Sequence, residues 1–284
     1  MFRELLVFAA FFGSLYSKSI PNLKWSYTNG TEVWKEDFKE NCAGKKQSPI
    51  NILSHETENA ADDLPPFKFS DAFKKDISDV NLTNNGHSLM VSLDGVNDHD
   101  LTISEGGLEG EYKLSMIHFH FGEGNNSGSE HTIDNIQSPA EIHFVCTSDS
   151  FEKGEMGKLA VLSFLVKAPS LADEKFNILQ HISVFDTGEK TELPAFSLSS
   201  IIPLDNSHFM ERYYRYQGSL TTPKCDEIVV WTIFIHPLYI SYEEYEKLQV
   251  GLTEDGDKLV NNFRQVQPLN GRKVLRSVSH VHRR

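Results

Sequence analysis

Basic residues are few in this chain of 284 residues, which has 27 lysines and arginines against 40 aspartates and glutamates. The formal net charge of −13 argues against a nucleic-acid partner, because contacts to phosphates require a basic surface. It also disfavours nonspecific binding to anionic membranes. Length alone leaves one large domain or two small ones open, and 39% hydrophobic residues suffice for a sizeable core.

Cysteine is also scarce, and the three cysteines leave one thiol without a partner. Cys146 alternates with apolar residues on the core-facing side of a predicted strand, so we expect a buried, reduced thiol there. Cys42 and Cys225 lie in polar, turn-like surroundings. Three pairings are formally possible, and we favour a Cys42–Cys225 disulfide formed in an oxidising compartment.

Long hydrophobic runs are missing beyond the N-terminus, so we expect no membrane-spanning helix there. At the N-terminus, Arg3 is followed by apolar residues 5–12 and then by small or polar residues through Ser19, which is the order of a secretory signal peptide. We expect residues 1–19 to be removed, with cleavage between Ser17 and Ser19. A buried helix is the alternative. The prediction is a soluble, secreted protein without a membrane anchor.

Two further features fit secretion. Asn29, Asn81 and Asn125 each begin an Asn-X-Ser/Thr sequon and are candidate glycosylation sites. The C-terminal residues 275–284 are basic against an acidic body. We expect a solvated tail, with contact to a polyanionic extracellular matrix as the alternative.

Most secondary-structure signals are those of strands. Short apolar runs recur about every ten residues from Phe67 onward, separated by turn residues, which indicates an antiparallel meander. Helices are predicted at residues 172–185 and 241–248, the second with Ser241 and Glu244 at capping-box spacing. No repeat or linker divides the chain. We therefore predict one domain, residues 20–274, mainly β with peripheral helices (α+β) on a large twisted, mostly antiparallel sheet.

A histidine pair stands in the clearest of these strands. Residues 112–121 alternate with a period of two, so Leu114, Met116, His118 and His120 are predicted to share one face. Two imidazoles two residues apart on a strand project side by side over one surface. This strand is therefore the first half of a candidate metal site.

A third histidine follows on the next predicted strand, residues 141–146, where Glu141, His143 and Val145 share a face. If the two strands pair, three imidazoles meet. Three neutral imidazoles suit Zn²⁺ and leave a fourth tetrahedral position open, which is typical of catalytic sites. The alternative is three unrelated histidines with separate structural partners.

Ordered motifs spread along the chain resemble those of the α-class carbonic anhydrases, in particular of extracellular members, over roughly residues 25–274. They are NNGH at 84–87, HFHFG at 118–122, SEHT at 129–132, EIH at 141–143 and GSLTTP at 218–223. The resemblance implies a carbonic anhydrase that converts carbon dioxide reversibly to bicarbonate and a proton. It also implies Zn²⁺ as cofactor, with His118, His120 and His143 as its ligands.

The resemblance implies further roles around that centre. Thr221 would accept a hydrogen bond from the zinc-bound hydroxide and donate its own proton to Glu130. His87 would carry protons to buffer, since an imidazole titrates near neutral pH. Tyr27 would line the water chain that leads to it, and Glu141 would orient the ring of His143.

The substrate side of the cavity is implied in the same way. The amide of Thr221 and the side chain of Thr222 would contact carbon dioxide or bicarbonate. Apolar residues around them would form a wall that holds carbon dioxide. The alternative is that these residues are ordinary core. The predicted apolar wall consists of Val145, Val161, Leu220 and Trp231.

Two methionines depart from the family pattern. Met116 stands where a glutamine usually accepts a hydrogen bond from the first histidine ligand, and a thioether is a weak acceptor. Met90 stands on the water-bearing side, where asparagine is common. We expect weaker zinc retention and slower proton transfer as a result. A second hypothesis for function is a secreted, matrix-associated structural or binding protein on the same fold, with reduced activity.

Overall fold

The computed structural model describes residues 24–93, 101–124, 126–169, 177–183 and 185–278. Strands account for most of the regular structure in these ranges. They are β1 (Asn51–Ile52), β2 (Glu58–Asn59), β3 (Phe67–Phe69), β4 (Asn81–Asn84), β5 (Leu89–Ser92), β6 (Thr102–Glu105), β7 (Tyr112–Phe121), β8 (Thr132–Ile133), β9 (Ile136–Gln137), β10 (Ala140–Thr147), β11 (Leu159–Lys167), β12 (Lys190–Glu192), β13 (Tyr213–Gly218), β14 (Val229–Tyr239) and β15 (Leu275–Arg276).

Helices in the described ranges are short and peripheral. The α-helices are α1 (Trp34–Asp37), α2 (Lys39–Cys42), α3 (Ser207–Met210) and α4 (Tyr242–Leu248). Single 3₁₀ turns occur at Thr31–Val33, Ser54–Glu56, Asp71–Lys74, Asn177–His181 and Leu198–Ser200. Among the described residues, no helix is long and apolar enough to cross a membrane.

One 12-stranded sheet organises the domain, with the strand order β12-β4-β5-β7-β10-β11-β14-β13-β15-β2. Off this path, β6 pairs with β7, and β3 pairs with β6. A second, three-stranded sheet has the order β1-β8-β9. In the large sheet, β11 with β14 and β15 with β2 are parallel, and the other pairs are antiparallel. The predicted fold class, mainly β on a mostly antiparallel sheet with peripheral helices, is confirmed.

The middle of the sheet is buried on both faces. Successive side chains of a strand project to opposite sides, and a hydrophobic core covers each side. On one face lies the large core, which includes Ile117, Phe144 and Phe234. On the other lies the small core, which includes Val145 and Trp231. Such two-sided burial explains why β11 reads as a nearly continuous apolar run in the sequence.

A β-bulge in β7 makes one face assignment wrong. Val145 of β10 is paired with Met116, but the next residue, Cys146, is paired with Leu114, so Ser115 is an extra residue. The bulge turns Leu114 to the face of Cys146, where both belong to the large core. Leu114 therefore does not share the face of the histidines.

The two predicted helices differ in outcome. The helix at 241–248 is confirmed as α4, with Ser241 as N-cap and a complete capping box with Glu244. The helix predicted at 172–185 is wrong in its described part, which holds only the 3₁₀ turn Asn177–His181, and residues 170–176 and 184 lie outside the described residues.

At the termini, the sheet includes β15, so it extends two residues beyond the boundary expected at residue 274. The predicted signal peptide, the end of the basic tail (279–284) and the sequon asparagine Asn125 lie outside the described residues. Asn29 and Asn81 are exposed, as a glycosylation site requires. Their glycosylation stays a prediction.

Candidate metal centre

The register of β7 and β10 brings the three predicted ligands together. His118 is paired with His143, and His120 with Glu141, across this antiparallel pair. Opposed residues project from the same face, so the rings meet over one surface. The ring centroids of His118 lie 5.0 Å from those of His120 and of His143, and the latter two are 4.6 Å apart.

The nitrogen atoms of these rings fit a metal ion. Nε2 of His118 lies 3.2 Å from Nδ1 of His143, and one ring nitrogen of each histidine lies within 4.8 Å of the others. Ligands on a tetrahedral Zn²⁺ lie about 3.3 Å apart, given Zn–N bonds of about 2.0–2.1 Å. Nε2 of His120 is buried without a hydrogen-bond partner among the described atoms. A cation in this space would supply that missing partner.

Burial keeps these imidazoles neutral, the form that binds metals. It lowers the pKa of His118 well below the ordinary value, with His120 and His143 adding to the effect. Burial, and next the neighbouring His143, lowers the pKa of His120 to about 3. Burial also lowers the pKa of His143, although Glu141 opposes the shift.

Glu141 holds the ring of His143 from behind. Its Oε1 accepts hydrogen bonds from Nε2 of His143 and Nδ1 of His131, each at 2.7 Å, and from the Ser163 hydroxyl at 2.6 Å. Burial alone would raise the pKa of Glu141, but His131 and His143 hold it well below its usual range. Sequence reasoning missed His131, since its contact depends on how the 129–132 loop folds back onto β10.

The other two rings differ in their supporting contacts. Nδ1 of His120 donates to the backbone carbonyl of Asn262 at 2.7 Å. The amide side chain of Asn262 bonds to the backbone of Phe119 and Phe121, which fixes that carbonyl against β7. For Nδ1 of His118, the described part of the chain offers no hydrogen-bond acceptor. Asn262 lies 142 residues from His120, and no motif pointed to it.

Glu130 lies next to the centre, with Oε2 3.5 Å from Nε2 of His120. Its Oε1 accepts from the backbone N–H of Arg264 at 2.9 Å. Burial, with Glu141 adding to it, raises the pKa of Glu130, while the nearby Thr221 side chain and the Arg264 amide act in the opposite sense. Oε2 of Glu130 is buried and has no hydrogen-bond partner among the described atoms. Glu130 and Thr221 are therefore neighbours, as the sequence motifs required, whereas Arg264 was not foreseen.

An apolar row borders the histidines on the same face. Met116, Val145, Val161 and Trp231 are successive cross-strand partners over β7, β10, β11 and β14. Leu220 packs against the same small core. Thr222 follows the buried Thr221 in the β13–β14 connection and is half-buried. The four residues of the predicted wall thus lie together beside the centre.

His87, the expected proton shuttle, lies in the β4–β5 turn and packs against the N-terminal segment that carries Tyr27. The ring of half-buried His87 stacks on Trp25, with centroids 3.8 Å apart and planes inclined by 12°. The ring centroid of Tyr27 lies 5.5 Å from that of Trp25. Burial lowers the pKa of His87, and Glu254 opposes the shift. The contact of His87 with Trp25 was not predicted from the sequence.

A disulfide anchors the loop that carries Thr221. Cys42 and Cys225 are bonded, with Cα atoms 4.9 Å apart, and pack against Trp34. The predicted pairing is confirmed. Cys146 is a buried free thiol, also as predicted.

Known proteins share this sequence pattern. Residues 29–278 match the family model of the eukaryotic-type carbonic anhydrases. The chain is 32% identical over 290 residues to carbonic anhydrase 4 from Oryctolagus cuniculus, covering 96% of this chain and 91% of that protein. It is 34% identical over 276 residues to carbonic anhydrase 12 from Homo sapiens, covering 91% and 74% of the two chains. It is 31% identical over 264 residues to carbonic anhydrase 6 from Canis lupus familiaris, covering 88% and 79%.

Proposed function

The chain belongs to the eukaryotic-type carbonic anhydrase family, and on this basis we propose that it hydrates carbon dioxide reversibly to bicarbonate and a proton with Zn²⁺ as cofactor. The observation that carries the proposal is the convergence of three ring nitrogens, Nε2 of His118, Nε2 of His120 and Nδ1 of His143. These three residues would hold the ion. When bound, Zn²⁺ supplies a Lewis acid that makes a hydroxide-like nucleophile available near neutral pH.

The chain's own contribution to the nucleophile is orientation. An ionised Glu130 can only accept hydrogen bonds, so the nearby Thr221 hydroxyl would donate to it and keep its oxygen lone pairs for a donor in the cavity. The Arg264 amide and any positive charge in the neighbouring centre favour the ionised carboxylate despite its burial. Thr221 then selects one orientation of the nucleophile toward the substrate.

The apolar row beside the centre would hold the substrate. Carbon dioxide has no net dipole and gains little from polar contacts, so a surface formed by Val145, Val161 and Trp231 suits it. Leu220 adds to this surface, and Thr222 would hold the polar product. The apolar surface would hold carbon dioxide, and Thr221 would orient the nucleophile. Together they would keep the two reactants at productive distance.

Proton release would pass through His87. Its half-buried ring lies against Trp25 at the edge of the domain, where it can exchange protons with buffer. Tyr27 contacts the other side of this arrangement through Trp25 and would line the expected water chain. Met90 is the cross-strand partner of His118, so this side is less polar than with asparagine. Met90→Asn should raise turnover in dilute buffer, and unchanged turnover would remove this part of the proposal.

Secretion is proposed from two features. The Cys42–Cys225 disulfide suits an oxidising compartment, and the N-terminal sequence has the order of a signal peptide. In this reading Asn29 and Asn81 would carry glycans.

Stopped-flow hydration of carbon dioxide, followed with a pH indicator, tests the proposed function. We expect hydration well above the uncatalysed rate, its loss after treatment with a chelator, and its return when Zn²⁺ is added back. A metal-replete, folded protein that does not accelerate hydration would contradict the proposal.

A further inference from the structure

A second pair of histidine rings lies on the other side of the main sheet. His236 of β14 contacts Phe209, which packs against the large core. Trp231 of the same strand belongs to the small core and contacts His143 of the metal centre. His236 is therefore separated from the three-histidine centre by the thickness of the sheet. The ring of His208, in α3, lies next to the ring of His236.

The spacing of these two rings matches that of metal-binding imidazoles. The centroids of His208 and His236 are 4.8 Å apart, within the 4.6–5.0 Å found among the three rings of the metal centre. Two imidazoles bound to one metal at tetrahedral or square geometry place their centroids about 4.5–5.1 Å apart, given metal–nitrogen bonds of about 2.0–2.1 Å. The spacing of the two rings is therefore compatible with one ion bound to a nitrogen of each.

One nitrogen of the pair lacks a partner. Nε2 of His236 is buried, and no described atom forms a hydrogen bond with it. A buried polar atom of this kind calls for a ligand, because leaving it unpaired is unfavourable. The side chain of His208 is exposed, so its ring can turn toward the same ion.

The surroundings allow an ion to enter. A surface cavity of about 520 Å³ adjoins His208, and Asp205 and Ser199 are also among its lining residues. Burial, with His208 and Arg212 adding to it, lowers the pKa of His236 and keeps its imidazole neutral at neutral pH. Arg212 is an unfavourable neighbour for a cation, and the carboxylate of Asp205 is offset by its ion pair with Lys74, so the two imidazoles would supply the binding.

We propose that His208 and His236 form a second metal site, for a divalent transition-metal ion that prefers nitrogen ligands. Water would complete the coordination shell from the cavity side. With two imidazoles as ligands, Cu²⁺ binds more tightly than Ni²⁺ or Zn²⁺. The site is independent of the catalytic proposal, because it uses neither residues nor a cavity of the three-histidine centre.

Copper binding to the zinc-loaded protein tests the site. Cu²⁺ is titrated by calorimetry into the wild type and into His208→Gln, His236→Gln and His55→Gln, and each copper form is examined by electron paramagnetic resonance. His55 is an exposed histidine beside Glu56 and serves as the matched control. We expect a Cu²⁺ site with nitrogen couplings in the wild type and the control, weakened at least about tenfold in either of the other variants.

Equal copper affinity and stoichiometry in all four proteins, or no added copper in the wild type, would overturn the proposal. All four proteins keep the three-histidine centre, so the comparison does not depend on what occupies it. Circular dichroism and the hydration rate should be unchanged in the variants, because both histidines lie outside the catalytic machinery.

Discussion

Nε2 of His143 donates a hydrogen bond to Oε1 of Glu141 over 2.7 Å, which leaves Nδ1 of the same ring 3.2 Å from Nε2 of His118. Because an ionised carboxylate can only accept, the proton of His143 must reside on Nε2. Its lone pair is then on Nδ1 and directed toward the other two histidines. One contact behind the ring thus decides which nitrogen is offered to a metal.

Removing the charge of Glu141 should weaken metal binding. In Glu141→Gln the amide can turn its NH₂ group to the ring, so the tautomer of His143 is no longer fixed. We expect zinc affinity to fall by about 10–100-fold, measured by competition with a chelating dye. Glu58→Gln is the control, since Glu58 is exposed and pairs with Lys273. Unchanged affinity in Glu141→Gln would show that this contact does not support the ligand.

Met116 should make zinc easier to lose. It lies two residues from His118 on the same strand, and Nδ1 of His118 finds no acceptor among the described residues. Met116→Gln introduces an amide oxygen at this position, so zinc should dissociate more slowly, followed by transfer to a chelator. Met116→Leu keeps the site apolar and should resemble the wild type. Equal dissociation rates in all three proteins would rule out a role for residue 116.

The convergence of the three histidines was predictable because it depends on strand periodicity and on one antiparallel pairing. β7 was predicted with its observed bounds, and the faces of His118, His120 and His143 followed from it. Leu114 was misplaced, since a period of two assumes a strand without a bulge. Asn262 also escaped prediction, because it reaches His120 through a backbone carbonyl, which any residue type carries.

Proton transfer should depend on His87. In His87→Ala, turnover in dilute buffer should fall by up to about 100-fold, while kcat/KM stays unchanged and added imidazole buffer restores kcat. His55→Ala should have no such effect. A His87→Ala protein with wild-type turnover at low buffer would exclude the shuttle.

The pH dependence of the same step has a definite sign. Burial lowers the pKa of His87 below its ordinary value of 6.5, opposed by Glu254. His87 accepts protons only when neutral, so low-buffer turnover should persist as the pH falls through 6.5 and decline only at the lower pKa. A midpoint above 6.5 in the kcat profile would contradict this.

The disulfide should contribute strongly to stability. Cys42 and Cys225 are 183 residues apart, and the chain-entropy model gives about 5 kcal/mol for closing so long a loop. The Cys42→Ser/Cys225→Ser double variant should show a lower free energy of unfolding in urea. Adding a reductant should destabilise the wild type toward the same value and leave the double variant unchanged. Equal stability of both proteins under oxidising conditions would contradict this estimate.

The position of the metal itself tests the central claim most directly. Around this centre, the described residues offer two candidate positions for the ion. One is the three-histidine centre, and the other is the group of His131, Glu141 and His143, which would use the other ring nitrogen of His143. Anomalous diffraction at the zinc absorption edge, from crystals of the zinc-loaded protein, distinguishes the two. Between these two positions, we predict a peak about 2.0–2.1 Å from Nε2 of His118, Nε2 of His120 and Nδ1 of His143. A peak between His131 and Glu141, or none beside His118 and His120, would contradict the account.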